Sequence, residues 1–244
     1  MTSAPSSAAA SDLAAPQVLW LDNHVLVLAK PAGMPSQGDA SGDLSLLDWG
    51  KAMLKERFDK PGNVFLGLVQ RLDRPTSGAM VFGRTSKAAS RLSEAVRERR
   101  IDKTYLALCA QAPGAAPGLL QDWMLPGGEG TSTRVVRRDT PGAKDATLRW
   151  RPLAEGPEGL LVEVALLTGR KHQIRAQFAH RGAPLAGDAR YGARQPFALG
   201  AIGLHAARLA FPHPVGGARV EVVAPLPPSF PAWARAASTE GLGT

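Results

Sequence analysis

The sequence predicts an α+β fold: a mostly antiparallel sheet with flanking helices. Apolar segments of strand length outnumber amphipathic helical ones, and the two kinds do not alternate, which disfavours a doubly wound parallel sheet. No internal repeat and no shift in composition divides the 244 residues, and 44% hydrophobic content suits one substantial core. Residues 1–16, rich in Ala, Ser and Pro, are expected to be a disordered tail, residues 17–231 the domain, and residues 232–244 a C-terminal tail.

Two strands are predicted within 18–29, separated by a turn at Asp22-Asn23 and ended by Lys30-Pro31-Ala32-Gly33-Met34-Pro35, a loop fixed by its Pro and Gly content. A helix follows over 45–58, with Leu46, Leu47, Met53 and Leu54 as its apolar positions. Residues 64–69 and 79–82 read as buried strands on either side of a polar cluster. The clearest helix spans 85–100, capped by Thr85 or Ser86, with Ala88, Leu92, Ala95 and Val96 at helical spacing. The helix dipole is a sufficient reason for Arg97, Arg99 and Arg100 at its end. Residues 105–110 read as a strand and 113–130 as a Gly- and Pro-rich connection. Strands at 134–138, 146–152 and 160–167, a helix over about 170–181, and strands at 204–211 and 219–223 complete the pattern.

Composition removes several classes. No apolar run approaches the roughly 18–20 residues needed to span a bilayer, and residues 1–16 lack the basic start and apolar centre of a secretory signal. A lone cysteine, Cys109, excludes an intramolecular disulfide and a zinc ribbon, and it reads as a small core hydrophobe. A cytoplasmic setting and a monomer are the expectations. Net charge is +8, and segments 84–104, 134–151 and 170–190 hold 18 of the 29 Lys and Arg but 6 of the 21 Asp and Glu. Three basic stretches apart in sequence can form one groove for a polyanion.

The chemistry-bearing residues fall in three clusters. Gln70-Arg71-Leu72-Asp73-Arg74-Pro75-Thr76-Ser77-Gly78 sets one carboxylate between two guanidinium groups at a junction of apolar segments. Nearby positive charge would keep Asp73 ionised, and Arg71 and Arg74 could dock a polyanion. Taken alone the string reads equally as a solvated turn, with ion pairs contributing less than about 1 kcal/mol each. In Thr168-Gly169-Arg170-Lys171-His172-Gln173-Ile174-Arg175, a cap at Thr168 or Gly169 would put Arg170 and Lys171 in the first helical turn. The dipole disfavours cations there, so an anion is expected to offset them. Lys171, His172 and Arg175 would share one face, although a structural histidine is the simpler role for His172 and a surface ion pair for Arg175. Lys103-Thr104-Tyr105 heads a strand, where Tyr105 is either a core residue or an aromatic platform for an extruded base. His172 and His180 have no Cys or carboxylate companions at metal-ligand spacing, so no metal site is expected.

In this order, and together with the loop at Lys30, Gly187-Asp188-Ala189-Arg190-Tyr191-Gly192 and Leu204-His205-Ala206, the clusters resemble the RluA-type family of RNA pseudouridine synthases from about Val18 to Pro228. The resemblance implies a bent mixed sheet crossed by a basic cleft, isomerisation of uridine in ribosomal or transfer RNA, and no cofactor. It implies that Asp73 is the catalytic carboxylate, that Tyr105 stacks on the flipped uracil and assists proton removal from C5, and that Arg175 pairs with Asp73. Arg71, Arg74, Lys103, Arg170, Lys171 and His172 would contact RNA. Residues ahead of Val18 leave no room for the small S4-type RNA-binding domain that many relatives carry, so the form without it is expected. Gln70 stands where the family commonly has histidine, which makes a catalytically silent RNA-binding paralogue the alternative. A metal-dependent nuclease would need clustered carboxylates, and the acidic residues here are scattered.

Overall fold

Asp22 folds the first hairpin: its Oδ1 accepts from the amides of His24 (2.7 Å) and Val25 (2.8 Å), which turns β1 (Gln17–Leu21) onto β2 (Val25–Lys30). The structure is a computed structural model that describes residues 14–128, 131–194 and 197–241. After the hairpin come α1 (Leu46–Arg57), β3 (Gly67–Leu68), β4 (Ser77–Gly83), α2 (Ser86–Arg97), β5 (Asp102–Cys109), β6 (Gly118–Leu125), β7 (Arg134–Val136), β8 (Lys144–Gly156) and β9 (Gly159–Leu166). The chain then forms α3 (Gln173–His180), β10 (Leu204–Pro212), β11 (Arg219–Val223) and α4 (Ala232–Gly241). Ser45 and Thr85 cap α1 and α2, each hydroxyl accepting from the amide three residues on.

The sheet runs β1-β2-β4-β10-β5-β9-β8-β6-β7, with β3 beside β4 and β11 beside β10. Its pairings are antiparallel except between β4 and β10, which meet in parallel only at Ser77↔His205 and Gly78↔Ala206. Beyond that point the two strands splay. β4 turns to β3 through Leu68↔Phe82, β10 turns to β11 from Arg208↔Val223 onward, and a bulge between Ala206 and Arg208 bends β10 against β5. The sheet is therefore mixed and forked, and Asp73 lies four residues ahead of the fork.

Gly78 makes the close approach possible. Its φ is +119°, and a Cβ there would sit 2.4 Å from the backbone N and O of Ala206. Beside it the Ser77 hydroxyl meets His205 Nδ1 at 2.8 Å, while His205 Nε2 meets the Ala224 carbonyl at 3.0 Å. These bonds stitch β4 to β10 and to the strand end after β11.

Segment 79–82 is an unbroken apolar run because both faces of β4 are covered. Met80 and Phe82 pack with Leu46 and Leu54 of α1, whereas Ala79 and Val81 pack with Leu92 and Ala95 of α2. On β5, Tyr105 and Ala107 share a core with Ile174 and Phe178 of α3, and Leu106 and Leu108 face Phe230 and Ala234. Each large apolar side chain buried this way stabilises the fold by roughly 1.5–3 kcal/mol.

Four expectations change. Residues 232–241, expected as part of a tail, form α4, whose alanines favour helix and which packs against β8; residues 242–244 lie outside those described. The expected connection over 113–130 contains β6, since Leu120 and Met124 are buried although Gly and Pro flank them; residues 129–130 lie outside those described. Of 64–69 only Gly67–Leu68 pairs as strand, and Phe65 is half exposed. The third helix starts at Gln173 instead of 170, because His172 adopts a left-handed backbone conformation. Of the predicted N-terminal tail, residues 1–13 lie outside those described.

Candidate active site

The loop ahead of β4 is held from both sides. Ser36 Oγ donates to the Leu72 carbonyl (2.7 Å) and accepts from the Leu72 amide (3.1 Å), and the Thr76 amide closes a turn on the Asp73 carbonyl at 3.0 Å. Lys30, 1% exposed, donates from Nζ to the carbonyls of Pro31 (3.0 Å), Met34 (2.7 Å) and Arg74 (3.0 Å). Burial pulls the Lys30 ammonium down to about 7, with the charge of Asp73 acting the other way. Only the ammonium has three protons for three carbonyls, so the clamp itself holds that form. Asp73 is thus presented by a rigid loop at the fork of the sheet.

Its partner is neither neighbouring arginine, contrary to the expectation of a carboxylate between Arg71 and Arg74. Arg74 turns away, its Nε to the Gly33 carbonyl (2.9 Å), Nη1 to Ser41 Oγ (3.1 Å) and Nη2 to Asp43, with Asp39 at 3.8 Å. Arg71 is exposed and makes no ion pair among the described residues. In an extended loop successive side chains diverge, which turns Arg74 away from Asp73, while Arg71, two residues off, extends into solvent. The carboxylate is met instead by Arg175 Nη1, 2.9 Å from Oδ2.

Arg175 is itself buried, and its remaining edge is taken by Asp188, with Nε to Oδ2 at 2.7 Å and Nη2 to Oδ1 at 2.8 Å. Its guanidinium lies over the Tyr191 ring, 5.0 Å from the centroid. A buried cation needs such pairing, and the bidentate contact fixes the direction in which Arg175 reaches Asp73.

No helical turn contains Arg170 and Lys171, as α3 begins after them. An anion nevertheless offsets Arg170, which binds the Asp145 carbonyl and Oδ1, each at 2.8 Å. Lys171 is exposed. His172 sets Nδ1 2.9 Å from the Tyr191 hydroxyl and Nε2 3.5 Å from Asp73 Oδ2. Both of its nitrogens therefore face protein groups. Tyr105 stands at the floor, 9% exposed. Burial, and then the charge of Asp73, push its phenol well above the usual range, so it is neutral. Burial also lowers Lys103.

These side chains line one cleft of about 600 Å³. Arg71, Asp73, Arg74, Lys103, Tyr105, Arg170, Lys171, His172 and Arg175 all border it, as does Gln70. Six of the lining residues are Lys or Arg and two, Asp39 and Asp73, are carboxylates, so the cleft is basic. Among the described residues no group of three or more His, Cys, Asp and Glu could hold a metal ion, and no helix is long and apolar enough to cross a membrane.

Residues 24–180 match the family described as RNA pseudouridylate synthase. The chain belongs to that family. It is 31% identical over 215 residues to the ribosomal large subunit pseudouridine synthase C of Vibrio cholerae serotype O1, a match covering 86% of this chain and 65% of that protein. Against the protein of the same name from Escherichia coli strain K12 it is 33% identical over 222 residues, covering 86% and 66%. The chain thus spans slightly less than two thirds of the length of these relatives. Human RNA Pseudouridylate Synthase Domain Containing 4 shares its fold with a TM-score of 0.72 at 24% identity, over 86% of this chain and 88% of that one. Human RNA Pseudouridylate Synthase Domain Containing 1 does so with 0.68 at 24% identity, over 92% and 87%.

Membership of this family bears out the RluA-type resemblance, and the α+β fold agrees with it. Two residues of the site had no role in the sequence reading. Asp188 and Tyr191 belong to Gly187-Asp188-Ala189-Arg190-Tyr191-Gly192, and the available signal was a lone Asp after a Gly in a stretch otherwise without acid. Asp188 is 1% exposed, and a carboxylate buried that deeply requires a cation.

Proposed function

We propose that this chain is an RNA pseudouridine synthase that isomerises uridine in ribosomal RNA, acting as a monomer in the cytoplasm, with Asp73 as its reacting carboxylate. The observation that carries this reading is a partly exposed carboxylate at the fork of the sheet, held by a buried arginine above a neutral tyrosine within a basic cleft. The ribosomal relatives support ribosomal over transfer RNA as the target.

Isomerisation breaks the N1–C1′ bond, turns the uracil, forms a C5–C1′ bond, and moves the C5 proton off as N1 gains one. A single carboxylate close to the ribose suffices for this, whereas a hydrolytic glycosidase works with two. Asp73 would assist cleavage at C1′. Tyr105 would stack on the extruded base and assist removal of the C5 proton, which leaves to solvent as N1 takes one up. Extrusion costs a few kcal/mol, which contacts from Arg71, Lys103, Lys171 and, less freely, Arg74 and Arg170 to flanking phosphates would offset.

Transcripts of ribosomal and transfer RNA carrying tritium at uridine C5 test the assignment, since isomerisation releases that label and binding does not. Release from ribosomal RNA is expected, abolished by Asp73→Asn while the variant still binds RNA. Binding without release from either RNA by the unaltered chain would leave a silent RNA-binding protein and overturn the enzyme reading.

A further inference from the structure

Asp73 has one oxygen pinned and one bare. Arg175 Nη1 and His172 Nε2 converge on Oδ2 at 2.9 and 3.5 Å, while Oδ1 has no hydrogen-bond or ion-pair partner among the described residues. We propose that His172 is a positioning residue: its neutral imidazole presents Nε2–H to Oδ2 of Asp73, so that with Arg175 it leaves Oδ1 as the oxygen that meets the ribose. The inference rests on the proposed synthase reading for its consequence, but the proton arrangement it names exists without turnover.

Three features support it. First, the far side of the ring supplies a partner for the tautomer. The Tyr191 hydroxyl oxygen accepts from the Thr133 amide at 3.0 Å, and its one proton has two acceptors in reach, the Thr133 carbonyl at 3.2 Å and, closer, His172 Nδ1 at 2.9 Å. Given to Nδ1, the phenol proton leaves the ring proton on Nε2, facing Asp73. The tyrosine also meets the imidazole edge-on, with centroids 5.7 Å apart and planes at 89°.

Second, the backbone is committed to this arrangement. His172 has φ 54° and ψ 25°, a left-handed conformation uncommon for a residue with a Cβ. It occupies the N-cap of α3 yet makes no capping bond with its side chain. An unfavourable backbone state that persists without a capping benefit is the pattern of a side chain held for another purpose.

Third, the charges around the ring keep it neutral. Burial lowers its proton affinity, Asp73 raises it, and Arg175, Lys171 and Arg190 lower it again. At 3.5 Å the contact to Asp73 is longer than a formed hydrogen bond, and such contacts tighten when substrate closes the site.

The test has two arms on the full chain. In ¹⁵N-histidine spectra, with His172 assigned by its loss in His172→Gln, the Nε2-protonated neutral tautomer is expected near pH 7. Asp73→Asn is expected to move its titration to lower pH. A Nδ1-protonated ring, or a titration indifferent to Asp73→Asn, overturns the proposal whether or not the chain is an enzyme. In single-turnover tritium release, His172→Leu is expected to slow the rate roughly ten- to a hundredfold, the worth of one hydrogen bond to a charged group, with RNA Kd unchanged. His172→Gln, whose side-chain amide also reaches outward as a donor, should recover most of that rate. A loss confined to Kd makes His172 an RNA contact, and equal losses in both variants make it structural; either overturns the proposal. If the unaltered chain releases no label, the synthase reading fails and the spectra alone decide the tautomer.

Discussion

Arg175 can direct Asp73 only because Asp188 holds its other edge, and the three residues illustrate what a sequence exposes. Asp73 and Arg175 stand 102 positions apart, and their pairing was implied by ordered motifs, since spacing along one helix or strand cannot relate them. Arg71 and Arg74, within two residues of Asp73, offered the nearer and mistaken pairing. Asp188 was quoted within a motif without a task, because the burial that makes its charge significant is a tertiary property. Replacing it tests the chain of support. Asp188→Ala leaves Arg175 buried with Asp73 as its remaining carboxylate, and removing one partner of a buried pair costs about 3 kcal/mol. Urea unfolding should show that loss as a lower midpoint with an unchanged slope, and an unaltered midpoint would mean that Arg175 re-forms its contacts elsewhere.

At the scale of elements, legibility followed the locality of the cause. The caps Ser45 and Thr85 and the apolar spacing behind them lie within a few residues, so α1 and α2 were readable almost to their ends. β6 was hidden among Gly and Pro because its reason for existing is β8 alongside it, and the start of α3 was displaced by a left-handed His172 that no local preference predicts. The junction of β4 and β10 has the same long-range origin, and it carries a titration. Burial lowers His205 to about 4 from an ordinary 6.5, so the native state holds it neutral between Ser77 and Ala224. Between those values the unfolded chain binds the extra proton, so this stability is complete above about pH 6.5 and falls as pH drops toward 4. The loss amounts to at most about 3 kcal/mol. Thermal unfolding across pH 4–7 should therefore be steeper for the unaltered chain than for His205→Gln, which cannot take up the proton. Parallel curves would assign the acid sensitivity to other groups.

For the molecule as a whole, a net charge of +8 stated an affinity for polyanions without saying which cations were free to bind one. The cleft sorts them. Arg74 is already engaged by Asp43 and faces Asp39, and Arg170 is engaged by Asp145. Lys171 and Arg71 are exposed and make no ion pair among the described residues, while Lys103 is a half-buried cation whose proton affinity is lowered by burial. A phosphate displaces counterions from a free cation but must first displace a carboxylate from a paired one, so two arginines of the same wall should contribute unequally to salt dependence. Titrating RNA binding against salt should give a log–log slope that shrinks by about one unit for Lys171→Ala and for Arg71→Ala, and by clearly less for Arg74→Ala and Arg170→Ala. Removing the carboxylates gives the converse: Asp43→Asn with Asp39→Asn frees Arg74 and should steepen the slope, tightening binding at low salt. Equal slopes across all four alanine variants would mean that RNA rearranges the cleft before it binds. The resting ion pairs would then carry no information about which cations the phosphates meet.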